Sequence, residues 1–513
     1  GAGAAGCVVA ERLSRDRGSA VVLVEAGRSV RHPLVRVPKG FVLAMQRSGW
    51  TYRYPARTAD GGRETWVRGR ALGGSTVVNG MMYLRGEPTG QDEIAARGLD
   101  GWDATAMTAA YDALERPVSA GRDDPGLLDV TVPRWAQVGD EVLEAVVASA
   151  ETLGLPFVPD LNAGAGPRLG VTPSTIAGGR RVSAATAFLA PARGRPNLTV
   201  LPGTRAGRIM LAGGRAVGAV VRRGGATREV RARRETIVCA GTVESPVLLE
   251  RSGIGRPEVL ARIGVPVQVA SPRVGEGVVE QRAVTLKARL SRPVGLGSRL
   301  GTPVGRARAA GRYLATGRGP LAVGAYELAG LVDTRGDGRP DAQVLVTSLA
   351  TDETGLAVSR DPGLMVVGYA LRPTTVGSVH AGGADPDDLP VIAARFLQTE
   401  ADRAAAERIL RWEQRLLAVA PVAGLVAEVT APWPGVDAVS YAALTGSGIY
   451  HAVGSCAMGP DESDVLDCRL RVRGIDGLRV ADASVFPSHP SGGMAAPSMA
   501  AGWRAADLVE EER

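Results

Sequence analysis

The sequence predicts an α/β fold too large for one ordinary core, and three observations carry that prediction. Residues Gly1-Ala-Gly3-Ala-Ala-Gly6 read G-x-G-x-x-G; an apolar helical stretch (Cys7, Val8, Val9, Leu13) and a short strand, Ala20 to Val24, lead on to Glu25. A second strand, Thr236-Ile-Val-Cys-Ala-Gly241, runs into a small-residue turn and a helix ending near Gly255. The chain has 513 residues, beyond the size at which a single hydrophobic core stops growing, so two domains or one large composite are expected.

Each part of the first stretch has a mechanical reason. Gly1 makes a tight turn, Gly3 lets backbone N–H groups approach a pyrophosphate, and Gly6 lets helix and strand pack closely. The helix N-terminus offers N–H donors and a positive dipole end to phosphates. Glu25, about 20 residues on at the end of the strand, is placed to accept hydrogen bonds from ribose hydroxyls. With 68 glycines in the chain the six-residue match alone says little, and its coupling to helix, strand and terminal acid selects the nucleotide reading. This motif normally follows a central strand, and no residue precedes Gly1. The expectation is a chain clipped or misassigned at its start by several residues, because loss of that strand leaves unpaired edges inside the sheet.

Bulk properties narrow the classes. A hydrophobic content of 45% with 22% charged residues describes a soluble globular protein. No apolar run approaches the roughly 20 residues that span a bilayer, and a cytoplasmic location is expected. The net charge is +7 and only Lys39 and Lys287 are lysines. The arginine-rich stretch Arg205 to Arg234 alternates with apolar residues and reads as solvated strand faces. Aromatics total 4% and no zinc-finger or RNA-binding spacing accompanies the arginines, so nucleic acid is not an expected partner. Cys7, Cys239, Cys456 and Cys468 fit reduced thiols better than a disulfide framework or a metal site, and no metal is expected.

Further along, Trp66 to Gly80 (WVRGRALGGSTVVNG) places two adjacent glycines before two small hydroxyl residues, a backbone suited to lie against a flat ligand. Residues 101–115 and 136–153 read as helices, the latter with Val138, Val142, Val146 and Leu153 on one face. Residues 198–238 read as strands with turns at Gly213-Gly214 and Gly224-Gly225. Thr399-Glu-Ala-Asp402 reads as a helix start, continuing with Ala405, Ile409, Trp412 and Leu416 on one face. Near the C-terminus come Tyr450-His451-Ala-Val-Gly-Ser, then Arg479-Val-Ala-Asp482-Ala483, then Ser488-His489-Pro-Ser-Gly-Gly-Met-Ala495-Ala-Pro-Ser498, and a final helix to about Val509.

Taken together these stretches resemble the glucose–methanol–choline family of flavin-dependent oxidoreductases. Gly69 to Asp92 is similar to its first signature and Gly241 to Gly255 to its second; Gly1 to Glu25 resembles its FAD motif. Residues 180–201 and 371–380 also look like family sequence, and the likeness covers nearly the whole chain in order. The resemblance implies an FAD-binding Rossmann-like domain built from discontinuous segments, plus an α+β substrate domain with an antiparallel sheet. It divides the chain into 1–275, 276–444 and a return to the FAD domain over 445–513. It implies that Gly1, Gly3, Gly6 and Glu25 hold the ADP half of FAD. Arg70, Gly73, Gly74, Ser75, Asn79, Gly80 and Met81 lie toward the isoalloxazine, with Gly241, Asp482 and Ala483 as further contacts.

The resemblance also implies oxidation of a small-molecule alcohol, with electrons passed on to oxygen or another acceptor. Removing a hydroxyl proton and a hydride from one carbon calls for a base beside the flavin, and a histidine that titrates near neutrality suits that work. His451 matches the family's catalytic position. Three departures stand out. Ala495 occupies the place of a second His or Asn, for which His489 is a candidate substitute. Val78 replaces the histidine through which some members attach FAD, which implies non-covalent binding. Gln281, in Val274-Gly-Glu-Gly-Val-Val-Glu280-Gln281, replaces a usual histidine. Two alternatives stand beside the alcohol dehydrogenase or oxidase: a flavin-binding accessory protein with impaired catalysis, and a family dehydrogenase that reoxidises a redox carrier such as mycofactocin.

Overall fold

The computed structural model describes residues 1–117, 126–352 and 358–512. Helix α1 (Ala4–Leu13) is buried on all sides after its first residue, as a helix apolar around its circumference must be. Its two charged residues are paired: Arg12 with Asp507 and Glu510, both at 2.8 Å, and Glu11 with Arg195 at 2.7 Å. Strand β1 (Val21–Glu25) lies parallel to β2 (Leu198–Pro202), Leu23 opposite Val200. Strands β3 (Arg205–Ala212), β4 (Arg215–Arg223) and β5 (Ala226–Arg231) form an antiparallel sheet. Its two hairpin turns have φ of +56° and +76° at Gly213-Gly214 and +55° and +83° at Gly224-Gly225, the left-handed pair that a two-residue turn matched to strand twist requires. None of this sheet's arginines is buried. Strand β6 (Thr236–Val238) then feeds helix α2 (Gly241–Arg251). Among the described residues no ladder joins β1 to β6, and Val22, Val24 and Ile237 line the main cavity.

The second unit is built on β7 (Val284–Leu290), β8 (Leu328–Val332), β9 (Ala342–Thr347), β10 (Gly363–Ala370), helix α3 (Glu400–Ala418) and β11 (Val426–Ala431). The sheet order is β11-β7-β10-β9-β8, followed by Arg168–Val171 and Phe157–Val158. Only the last pair is parallel. A boundary drawn at residue 275 therefore does not divide the sheets in space, because 157–171 extends the second unit. Helix α3 starts where Thr399 Oγ1 accepts the Asp402 N–H at 3.2 Å, satisfying one of the donors left free at a helix start. Of its apolar stripe, Ile409, Trp412 and Leu416 pack with Leu286, Val344, Val346, Leu364 and Val366 in one core, and Ala405 is also buried. Side chains alternate across a strand, so Thr285, Leu345, Thr347, Met365, Val367 and Tyr369 take the opposite face, which lines the cavity.

The chain then returns to the first unit. Strand β12 (Leu478–Val480) pairs in parallel with β6, and helix α4 (Ala495–Glu511) packs on α1. At their crossing a Cβ on Gly502 would stand 2.6 Å from the Ala5 carbonyl oxygen, so only glycine permits this approach. The four cysteines are free thiols, three of them buried. Among the described residues no helix is long and apolar enough to cross a membrane.

Leu416 is fully buried between α3 and the sheet. Leu416→Ala is expected to cost about 2–5 kcal/mol, seen as a lower urea midpoint for the second unit than in the wild-type protein.

Candidate active site

The first and second units enclose a cavity of about 2760 Å³. Gly1, Gly3, Gly6 and Glu25 line one part of it; His451 and the free face of the seven-stranded sheet line another. At the first part, Glu25 is held by two backbone donors. Its Oε2 accepts from the Ala2 N–H at 2.7 Å and its Oε1 from the Gly27 N–H at 2.7 Å. The three motif glycines differ in what they spare. A Cβ on Gly1 would sit 2.3 Å from the Cys239 carbonyl oxygen, and one on Gly6 would sit 1.9 Å from the Gly1 carbonyl oxygen. A Cβ on Gly3 would meet nothing within 4 Å; it would enter the cavity. Helix α1 has no side-chain cap and no acid in its first turn, so no side chain competes with an anion there.

The loop from Gly69 to Met81 crosses directly over this turn. Gly73 (φ +102°) donates its N–H to the Ala2 carbonyl at 2.7 Å, and Gly74 (φ +54°) leaves 2.6 Å between a would-be Cβ and Gly3 Cα. Ser75 Oγ accepts the Gly69 N–H at 3.0 Å. Asn79 Oδ1 accepts from the Arg181 guanidinium at 2.6 Å and from the Met81 N–H at 3.2 Å. That holds buried Met81 at φ +61°, uncommon for a side-chain-bearing residue. The Gly80 carbonyl accepts the Ala325 N–H at 3.2 Å. Gly74, Ser75, Asn79, Gly80 and Met81 reach the cavity wall, whereas Arg70 and Gly73 do not. Arg70 stacks over the Tyr52 ring, 5.1 Å from its centroid. On the far side, Gly241 (φ +84°) and Ala483 line the cavity beside Asp482. Asp482 Oδ2 accepts from the Gly241 N–H at 2.8 Å and Ser245 Oγ at 2.6 Å, while Oδ1 accepts the Ser484 N–H at 2.9 Å. This carboxylate ties the end of β12 to the start of α2.

His451 is gripped from several sides. Its backbone N–H donates to Glu280 Oε1 at 2.8 Å, and the next N–H, of Ala452, donates to Oε2 at 2.9 Å. Its Nδ1 lies 2.9 Å from Gln281 Oε1. The Tyr369 ring meets the imidazole edge-on at 6.1 Å. Nε2 faces the loop at Gly493, where a Cβ would stand 3.8 Å away. Burial holds the imidazole down at about 3, with the nearby His489 and the Arg68 cation acting in the same direction. Burial likewise pushes Glu280 up to about 7, against Arg68 and the backbone donors.

His489 is not on the cavity wall. It is 1% exposed and neither ring nitrogen has a side-chain or backbone partner at hydrogen-bonding geometry; burial pushes it down to about 4, opposed by the Val279 backbone. Gly493, Met494 and Ala495 occupy the wall instead. Val78 lines the cavity as an apolar, buried side chain. Sequence reasoning did not single out Glu280, Arg68 or Tyr369 as site residues. Glu280 and Arg68 lie inside stretches that the sequence marks, Val274 to Gln281 and Trp66 to Gly80, but nothing local marks Tyr369.

Two family models described as GMC oxidoreductase match residues 1–282 and 373–502. The chain belongs to the GMC oxidoreductase family. It is 34% identical to an uncharacterized GMC-type oxidoreductase of Mycobacterium tuberculosis, over 99% of this chain and 98% of that one. It is 31% identical to the oxygen-dependent choline dehydrogenase of Brucella anthropi, over 99% and 94%. Among solved structures, pyridoxine 4-oxidase from Mesorbium loti superposes with a TM-score of 0.89 at 27% identity, covering 100% of this chain and 98% of that one. Membership indicates a flavin-dependent oxidoreductase with the mixed α/β architecture described above.

The residues of this GMC oxidoreductase fit FAD. Gly3 opens onto the cavity beside an uncapped helix N-terminus, and Glu25 reaches the same wall. The two glycine positions separate holding a ligand from holding the fold. Gly3→Ala is expected to leave the thermal midpoint of the flavin-free protein unchanged while weakening FAD in a fluorescence titration. Gly6→Ala is expected to lower that midpoint itself, because its Cβ has no room against the Gly1 carbonyl.

Proposed function

We propose that this GMC oxidoreductase oxidises an alcohol to a carbonyl compound with His451 as the base. The observation that carries the reading is the placement of a neutral imidazole, fixed through Nδ1, with its other nitrogen on the wall of the cavity that the nucleotide-motif glycines also line. Bound FAD supplies the acceptor for the hydride that leaves the carbinol carbon. Gly1, Gly3, Gly6 and Glu25 would hold its ADP half, with Gly74, Ser75, Asn79, Gly80, Met81, Gly241, Asp482 and Ala483 lining the remainder. Val78 offers no nucleophile for attachment, which supports a non-covalent flavin.

His451 Nε2 takes the hydroxyl proton. A base must be unprotonated to do so, and desolvation keeps this ring neutral well below the usual imidazole range. The same burial opposes the imidazolium that forms, and Gln281 Oε1 offsets this as acceptor for Nδ1–H. The substrate arm of the cavity is mainly apolar, from Ala283, Leu345, Met365 and Val367. Tyr369 and Thr347 add buried hydroxyls with no protein partner, which are donors for a polar group on a substrate. Ala495 gives the alkoxide no hydrogen bond, so such a donor matters more here. The flavin is reoxidised by oxygen or another electron acceptor.

Two outcomes test this reading. Anaerobic mixing with a panel of alcohols should bleach the flavin absorbance, and His451→Ala should slow that bleaching by about 10²–10⁴-fold; a flavin that dithionite but no alcohol reduces would mark an accessory flavoprotein. The pH dependence has a definite sign. An ordinary histidine loses half its basic form near pH ~6.5, whereas one held at about 3 keeps it as pH falls. Glu280, pushed up to about 7 beside the His451 backbone, is then the group that titrates in this range, so any limb in the reduction rate at saturating alcohol between about pH 8 and about pH 5 should vanish in Glu280→Gln and leave a level profile, measured by stopped flow.

A further inference from the structure

Gln281 stands where the family usually has a histidine, and its surroundings give it a definite task. Its side chain is fully buried. Nε2 donates to the carbonyl oxygens of Ala370, at 2.9 Å, and Leu371, at 3.2 Å. Its backbone is held too: its N–H donates to Glu280 Oε1 at 3.0 Å and its carbonyl accepts the Ile449 N–H at 3.3 Å. Carbonyl oxygens only accept, so the end of the carboxamide that faces them must be the NH₂. The reverse orientation would press an amide oxygen against two carbonyl oxygens in a buried site and leave that oxygen without a donor. Oε1 therefore faces His451 Nδ1 at 2.9 Å.

An amide oxygen also only accepts, so Nδ1 must carry a hydrogen. A neutral imidazole has one N–H, and with that hydrogen on Nδ1 the other nitrogen keeps its lone pair. We infer that Gln281 is a positioning residue for the base: aimed by the Ala370 and Leu371 carbonyls at the end of β10, it holds the His451 proton on Nδ1 and leaves Nε2 as the acceptor on the cavity wall. A histidine at position 281 has two ring nitrogens whose roles exchange with tautomer, so it does not impose this direction by its chemistry alone. The carboxamide does, because its two ends cannot exchange roles. The other groups around the ring do not set the tautomer. Glu280 takes backbone N–H groups, Tyr369 presents its ring edge-on, and Arg68, Tyr450 and His489 make no hydrogen bond to Nδ1.

The inference rests on the proposed role of His451 as base, but its first test does not. Holoprotein labelled with ¹⁵N-histidine, with the His451 signals assigned by their loss in His451→Asn, reports the tautomer directly. The expected result is a protonated Nδ1 and a pyridine-type Nε2 at neutral pH; a proton on Nε2 would overturn the inference. In Gln281→Leu the acceptor is gone, and the signals should move toward the Nε2–H form or an average of the two. Flavin reduction by alcohol should slow by roughly 10–100-fold, the loss seen when the partner that orients a metal-bound histidine is removed. Unchanged signals and rate would likewise overturn it.

Gln281→Glu serves if the leucine variant does not fold. By the same logic its carboxyl can meet the Ala370 and Leu371 carbonyls only as the protonated acid, with the hydroxyl donating to them and the other oxygen accepting from Nδ1, so it should retain the wild-type tautomer. A proton on Nε2 in this variant would overturn the assignment. If the tautomer is as expected but no alcohol reduces the flavin, the assignment of Gln281 stands and the proposed reaction fails.

Discussion

One imidazole ring on the cavity wall is fixed by contacts from three residues, and the proposed chemistry depends on that orientation. Glu280 binds two successive backbone N–H groups at His451 and Ala452, Gln281 binds Nδ1, and Tyr369 closes on the ring edge. The ring reaches the cavity already committed in position. This is preorganisation: the entropy of ordering the side chain is lost on folding and not again when a substrate arrives. Burial that keeps the ring neutral also makes its protonated form costly, so the polar contacts and the low local polarity act in opposition.

The cavity wall follows from the period of a strand. In β9 and β10, Val344, Val346, Leu364 and Val366 turn toward α3, while Leu345, Met365, Val367 and Tyr369 turn toward the cavity. A shift of one residue in register would exchange the two sets. The same strand then supplies, at its end, the carbonyl oxygens that aim Gln281. Core packing on one face and alignment of the proposed base on the other therefore depend on one register.

At the nucleotide end the controlling quantity is distance between backbones. The loop carrying Gly73 and Gly74 lies over Gly3, and Gly1 lies against Cys239. A side chain on Gly3 would meet no protein atom, and that open side faces the space that FAD would occupy. The departures from family pattern follow a similar logic of local substitution. Ala495 removes a polar group from the wall without a neighbour replacing it there, since His489 turns into the interior.

Much of this was legible in the chain by itself. The spacing of Gly1, Gly3, Gly6 and Glu25, the Gly-Gly hairpin turns and the period of α3 are properties of short segments, because turn sterics and side-chain periodicity act over a few residues. The place of His451 was legible through its family motif. Its surroundings were not. Gln281 lies 170 residues from His451 and 89 from Ala370, and Arg70 and Arg68 differ by two positions with opposite relations to the cavity wall. The domain boundary, too, falls elsewhere in space, since 157–171 joins a sheet formed mostly by residues after 283. Such pairings arise only when distant strands and loops pack together, and no local pattern records which partner a buried polar group will meet.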